Sequence, residues 1–75
     1  MNRERRAKIK AQINRINEIA ASLQDIMDEE QDYFDNMPEN LQGSIRGDAA
    51  EEAISTLDDA VSALEDVTSS LEELL

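Results

Sequence analysis

The chain is divided by one short stretch, Asn36-Met37-Pro38-Glu39-Asn40-Leu41-Gln42-Gly43-Ser44-Ile45-Arg46-Gly47-Asp48, which holds its only proline, both of its glycines and the only arginine beyond residue 15. Proline lacks an amide donor and pushes the preceding residue out of helical geometry, so a helix arriving from the N-terminal side ends near Met37. Long apolar repeats of helical period flank the stretch on both sides. The expected fold is all-α: an antiparallel helical hairpin with helices over about 3–36 and 48–74, a turn over 37–47, and assembly into a homo-oligomeric bundle.

In the first segment Ile9, Ile13, Ile16, Ala20, Leu23, Met27, Glu30 and Phe34 recur at alternating steps of four and three, and Ile19, Ile26 and Tyr33 form a flanking row. In the second, Ala50, Ala53, Leu57, Ala60, Leu64, Val67, Leu71 and Leu74 alternate likewise, flanked by Ile54, Val61 and Leu75. Antiparallel register places Ile9 by Leu75, Ile13 by Leu71, Ala20 by Leu64, Leu23 by Val61, Met27 by Leu57 and Phe34 by Ala50. Glu30 then falls on a core row opposite Ile54, where an unpaired acid is costly. Asp48 with Glu51 resembles a capping box and is the expected start of the second helix. A start at Ser44 is the alternative, but it sets Gly47 inside the first turn, at about 1 kcal/mol relative to alanine. Pro38 to Gln42 can form a short helical turn of its own.

Both apolar faces are wider than one helix–helix seam requires, and a 75-residue chain is near the size at which a single-chain core becomes marginal. Self-association is therefore expected, with Ile9, Ile13, Ile16, Ile19, Leu23 and Ile26 as candidate interface residues. Arg3, Arg5 and Arg6 join them, since they overhang the end of the second helix. Charge is sharply polarised. Residues 1–15 carry six bases against Glu4, whereas residues 16–75 carry seventeen acids against Arg46, for a net charge of -11. That balance argues against general nucleic-acid binding and against anionic membranes. A basic N-terminus and an acidic C-terminus each oppose their helix dipoles, and antiparallel packing lets the two ends compensate.

Several chemistries lack their residues. With no cysteine or histidine, thiolate or histidine metal sites, thiol nucleophiles and the commonest general base are excluded. Asp28-Glu29-Glu30-Gln31-Asp32 lacks the spacing and glycine of a calcium loop, and no phosphate-binding loop is present. The expectation is a non-enzymatic protein with no metal and no cofactor, and no apolar run suited to a membrane span or signal peptide, hence cytoplasmic. Glu30, Tyr33, Phe34, Asn36, Gln42, Ser44 and Arg46 gather around the turn. They read either as caps and an internal Glu30–Arg46 ion pair, or as a ligand site in which Arg46 meets an anion and Tyr33 stacks.

The sequence from Glu29-Glu30-Gln31 through Phe34-Asp35-Asn36-Met37-Pro38-Glu39-Asn40-Leu41-Gln42-Gly43-Ser44-Ile45-Arg46-Gly47, followed by a helix rich in alanine, leucine and glutamate, resembles a group of small acidic helical proteins of phages and prophages. That group has no assigned activity that would carry residue roles across. The resemblance implies a non-enzymatic oligomer acting as a counter-defence factor, one that sequesters a small host nucleotide signal or binds a host defence protein. Two other readings stand beside it. An acidic DNA mimic would use Asp25, Asp28, Glu29, Asp32 and Asp35 as phosphate surrogates, and a structural oligomer would need only the apolar faces.

Overall fold

The computed structural model describes all 75 residues and is entirely helical. Helix α1 spans Arg3–Asp35, a single turn α2 spans Glu39–Gln42, and α3 spans Ile45–Glu72. The two long helices pack against each other along their length, giving a rod with extents of 58 × 15 × 12 Å. Neither is long and apolar enough to cross a membrane.

Helix α1 starts at Asn2, whose side-chain oxygen accepts from the Arg5 amide at 2.8 Å. That bond satisfies one of the amides left free at a helix start. At its other end the Asn36 amide donates to the Asp32 carbonyl at 3.0 Å, and the Asn36 side chain donates to the same oxygen at 2.8 Å. The helix stops there because Pro38 has extended backbone (ψ 144°) and starts α2. Ile9, Ile13, Ile16, Ala20, Leu23, Met27, Glu30 and Phe34, the row marked by the sequence period, are buried or half-buried. Residues 1–8 are all exposed, in keeping with an overhang beyond α3.

The second helix departs from expectation in two ways. It begins at Ile45, with Ser44 rather than Asp48 as its cap: Ser44 has extended backbone and its hydroxyl oxygen accepts from the Gly47 amide at 3.3 Å. The same hydroxyl donates to the Leu41 carbonyl. Gly47 costs helix propensity in this first turn, but close packing requires it. A Cβ there would lie 1.9 Å from the Gln42 carbonyl oxygen and 2.5 Å from its carbon. The intimate contact of α2 with α3 thus outweighs a penalty of about 1 kcal/mol.

The seam row of α3 also differs. Gly47, Ala50, Ile54, Leu57, Val61, Leu64, Thr68 and Leu71 are buried or half-buried, at alternating steps of three and four. Thr68 lies in the core while Val67 and Leu74 are each 45% exposed, so those two fall on a flank; Ala53 and Ala60, also expected in the seam, are half-buried at its border. The Thr68 hydroxyl donates to the Glu65 carbonyl at 2.9 Å, which makes its burial inexpensive and leaves a methyl group for packing.

The core is thin. Only five of the 75 residues are buried: Ile13, Gly47, Ala50, Val61 and Thr68. Meanwhile Ile19, Ile26 and Tyr33 on α1, Val67 on α3 and Leu74 just past its end stay about half-exposed.

Candidate functional site

Most of the side-chain hydrogen bonds of the molecule gather at the turn end. The Gln42 side-chain amide donates to the Phe34 and Met37 carbonyls at 3.4 and 3.3 Å, tying α2 back to the end of α1. The Leu41 and Gln42 amides donate to the Pro38 carbonyl at 2.8 and 3.2 Å, and the Asp48 amide to the Ser44 carbonyl at 2.8 Å. The Gln42 side chain thus adds a donor to carbonyls at the end of α1, while the Pro38 and Ser44 carbonyls accept the first backbone bonds of α2 and α3. The result is a fixed platform.

On one side of this platform lies an open depression of about 830 Å³, lined by Tyr33, Asn36, Met37, Pro38, Leu41, Ser44, Ile45 and Arg46. Its volume falls in the range of small-ligand sites. Met37, Pro38, Leu41 and Ile45 supply the apolar surface. Ile45 is 89% exposed, and Tyr33 is 49% exposed. Arg46 is exposed and makes no ion pair: the molecule's single salt bridge joins Lys8 to Glu4 at 3.6 Å, between side chains in open solvent. An arginine beside apolar and aromatic surface offers an anionic group a planar, forked donor.

Of the residues expected at a turn site, Tyr33, Asn36, Ser44 and Arg46 meet in the depression, although Asn36 and Ser44 also act as caps. Gln42 lies in the turn's hydrogen bonding and is not among the lining residues. Phe34 borders a different groove of about 540 Å³ with Met27, Gln31, Glu51, Ile54, Ser55 and Asp58. Glu30 is half-buried on the α1 seam and lines neither hollow. The internal Glu30–Arg46 ion pair is absent. Its absence follows from register: Glu30 is level with Ile54, which is two helical turns, about 12 Å, along α3 from Arg46.

Sequence reasoning missed Met37, Pro38, Leu41 and Ile45. The available signal was four apolar residues within a segment read as a polar turn. Exposed apolar groups clustered on a small surface indicate something that covers them.

Among the expected interface residues, Ile13 is consumed by the intrachain seam, and Ile9, Ile16 and Leu23 are partly covered by it. Ile19, Ile26, Arg3, Arg5 and Arg6 remain exposed. Asp25, Asp28, Glu29, Asp32 and Asp35 are likewise exposed. No three carboxylates converge closely enough to hold a metal ion.

The fold and the depression define a two-helix hairpin with a structured, ligand-sized hollow at its closed end. No protein-family model, curated protein or solved structure matches this chain.

Proposed function

We propose that this protein is a non-enzymatic, self-associating binding protein whose turn-end depression takes up a small ligand carrying few negative charges. The observation that carries this reading is the hollow of about 830 Å³ that combines apolar walls, the Tyr33 ring and an Arg46 without an ion-pair partner. The overall charge of -11 disfavours a polyanion, and one arginine is sufficient for a single phosphate or carboxylate. A nucleotide signal satisfies both needs, with its base against Tyr33 and its phosphate on Arg46. Together with the resemblance to small phage proteins, this gives a counter-defence role: removal of a host immune signal, or occupation of a defence protein through the same turn.

The experiment is Arg46→Ala, first checked for unchanged helicity and oligomeric state. Protein purified from a defence-active host is then denatured, and the released small molecules are identified by mass spectrometry. Loss of the bound molecule together with loss of phage protection supports the reading. A folded Arg46→Ala protein that retains both rejects the turn site. The five exposed carboxylates from Asp25 to Asp35 then become the better candidate, as a surface imitating DNA phosphates.

A further inference from the structure

The depression is open on one side, and that side continues along the whole hairpin. Ile45 lies on its wall. From Ile45 a second row runs down α3 in two steps of four and then steps of seven, through Ala49, Ala53, Ala60 and Val67 to Leu74 just past its end. This row contains none of the acids of α3. Tyr33, also on the wall, continues along α1 as Ile26 and Ile19, which are 48% and 54% exposed. Phe34, Glu51, Ser55 and Asp58 border the other groove. One side of the rod is therefore acidic, while the side with the depression is apolar and small on α3.

The charges on that apolar side come from α1, and they are ordered. Arg5, Lys8 and Arg15 share the helical row of Ile19 and Ile26 toward the N-terminus, and Glu29 shares it toward the turn. More broadly, α1 carries all six N-terminal bases between residues 3 and 15, and six acids between residues 25 and 35. Laying one α1 along another in parallel opposes like charges. Laying them antiparallel opposes bases to acids twice, once at each end.

We infer that a second copy of this chain docks on this side by a two-fold axis crossing α1 near Ser22, with α1 antiparallel to α1 and α3 antiparallel to α3. Ser22 lies between Ile19 and Ile26, and its small side chain lets the two backbones approach. The alanines of α3 do the same for the other pair, with the acidic sides turned outward. Arg15 of each copy then lies near Glu29 and Glu30 of the other. The N-terminal third of α1, with Arg5 and Lys8, crosses the partner's turn and roofs the depression. The ligand site of the preceding reading, on which this last step rests, is completed by the second copy. That copy adds two cations to the single arginine of the hollow. The docking itself stands on the charge order and apolar side alone.

The chain has no cysteine, so an introduced pair reports one contact cleanly. Ser22→Cys is predicted to form an intermolecular disulfide under mild oxidation of the full-length protein, while Asp59→Cys on the acidic side does not. Lys8→Cys mixed with Met37→Cys is predicted to form a heterodimer. Within one chain these two positions are about 43 Å apart by the helix rise, so any such bond joins two copies. Arg15→Glu is expected to weaken the dimer about tenfold, since the contact occurs twice, and adding Glu29→Arg to restore part of the loss. Ser22→Cys that remains uncrosslinked in a folded protein, or that crosslinks no faster than Asp59→Cys, overturns the docking. A Ser22 disulfide without the Lys8–Met37 heterodimer overturns the completed site. None of these readings requires the ligand, so they fail independently of the ligand assay.

Discussion

The two ends of the hairpin are held by different physics. At the closed end, Asn36, Gln42 and Ser44 bind backbone carbonyls, and the α2 backbone sits so near Gly47 that no Cβ fits between. At the open end, α1 runs on alone with Arg3, Arg5 and Arg6 in solvent, held by the Asn2 cap and one exposed ion pair. Packing and directional hydrogen bonds fix a shape, whereas exposed charge fixes little by itself and responds to salt and partners. The closed end is suited to hold a ligand-sized hollow open. In the proposed dimer the open end is the part that meets another copy.

This contrast can be broken most severely at Gly47. Gly47→Ala is expected to destabilise the protein by about 3 kcal/mol, because backbone must move to admit the methyl group. Gly43→Ala is its control, since nothing lies within 4 Å of the added methyl. It should be neutral or stabilise by about 0.5 kcal/mol through the unfolded chain. Thermal melting of the pair measures the difference directly.

Loss of the Ser44 cap comes next. Ser44→Ala should cost about 1 kcal/mol, and Ser44→Asp should recover most of it, by denaturant titration. If Ser44→Ala is silent and Asp48→Ala is costly instead, α3 begins where the capping-box pattern places it.

A smaller effect is expected at the seam. Thr68→Val should raise stability by less than about 1 kcal/mol, because the hydroxyl it removes bonds only within its own helix turn. Val67→Thr, on the exposed flank, should leave the monomer's helicity unchanged while weakening association. The smallest effect on the fold belongs to the tip. Replacing Arg3, Arg5 and Arg6 by glutamine should change the hairpin's stability by less than about 0.5 kcal/mol. The same change should weaken association, and salt titration should mimic part of that loss.

The α1 half of this architecture was legible because its seam is written in large side chains. Ile9, Ile13, Ile16, Leu23 and Met27 leave one consistent face. The α3 half was ambiguous for a physical reason. It carries two rows of three–four spacing sharing Ala50, Leu57, Leu64 and Leu71, and the row that is buried contains Gly47 and Thr68. A hydropathy reading passes over both, since glycine earns its place by close approach and threonine by bonding to its own turn. The start at Ser44 was obscured by the same glycine, whose local penalty is set against a contact with Gln42 that only the folded chain contains. At the turn, Tyr33 and Arg46 were identifiable as unusual residues in their surroundings. The hollow between them was not, because Leu41 and Ile45 look like ordinary apolar residues until the fold leaves them uncovered.

We propose that a rod with five buried residues and an uncovered apolar side is half of an assembly. Sedimentation velocity across a dilution series, paired with melting at each concentration, tests this most directly. A species of at least two chains at micromolar concentration is expected, with a melting temperature that rises with concentration. A single 8.4 kDa species into the high micromolar range, with one melting temperature throughout, would contradict it.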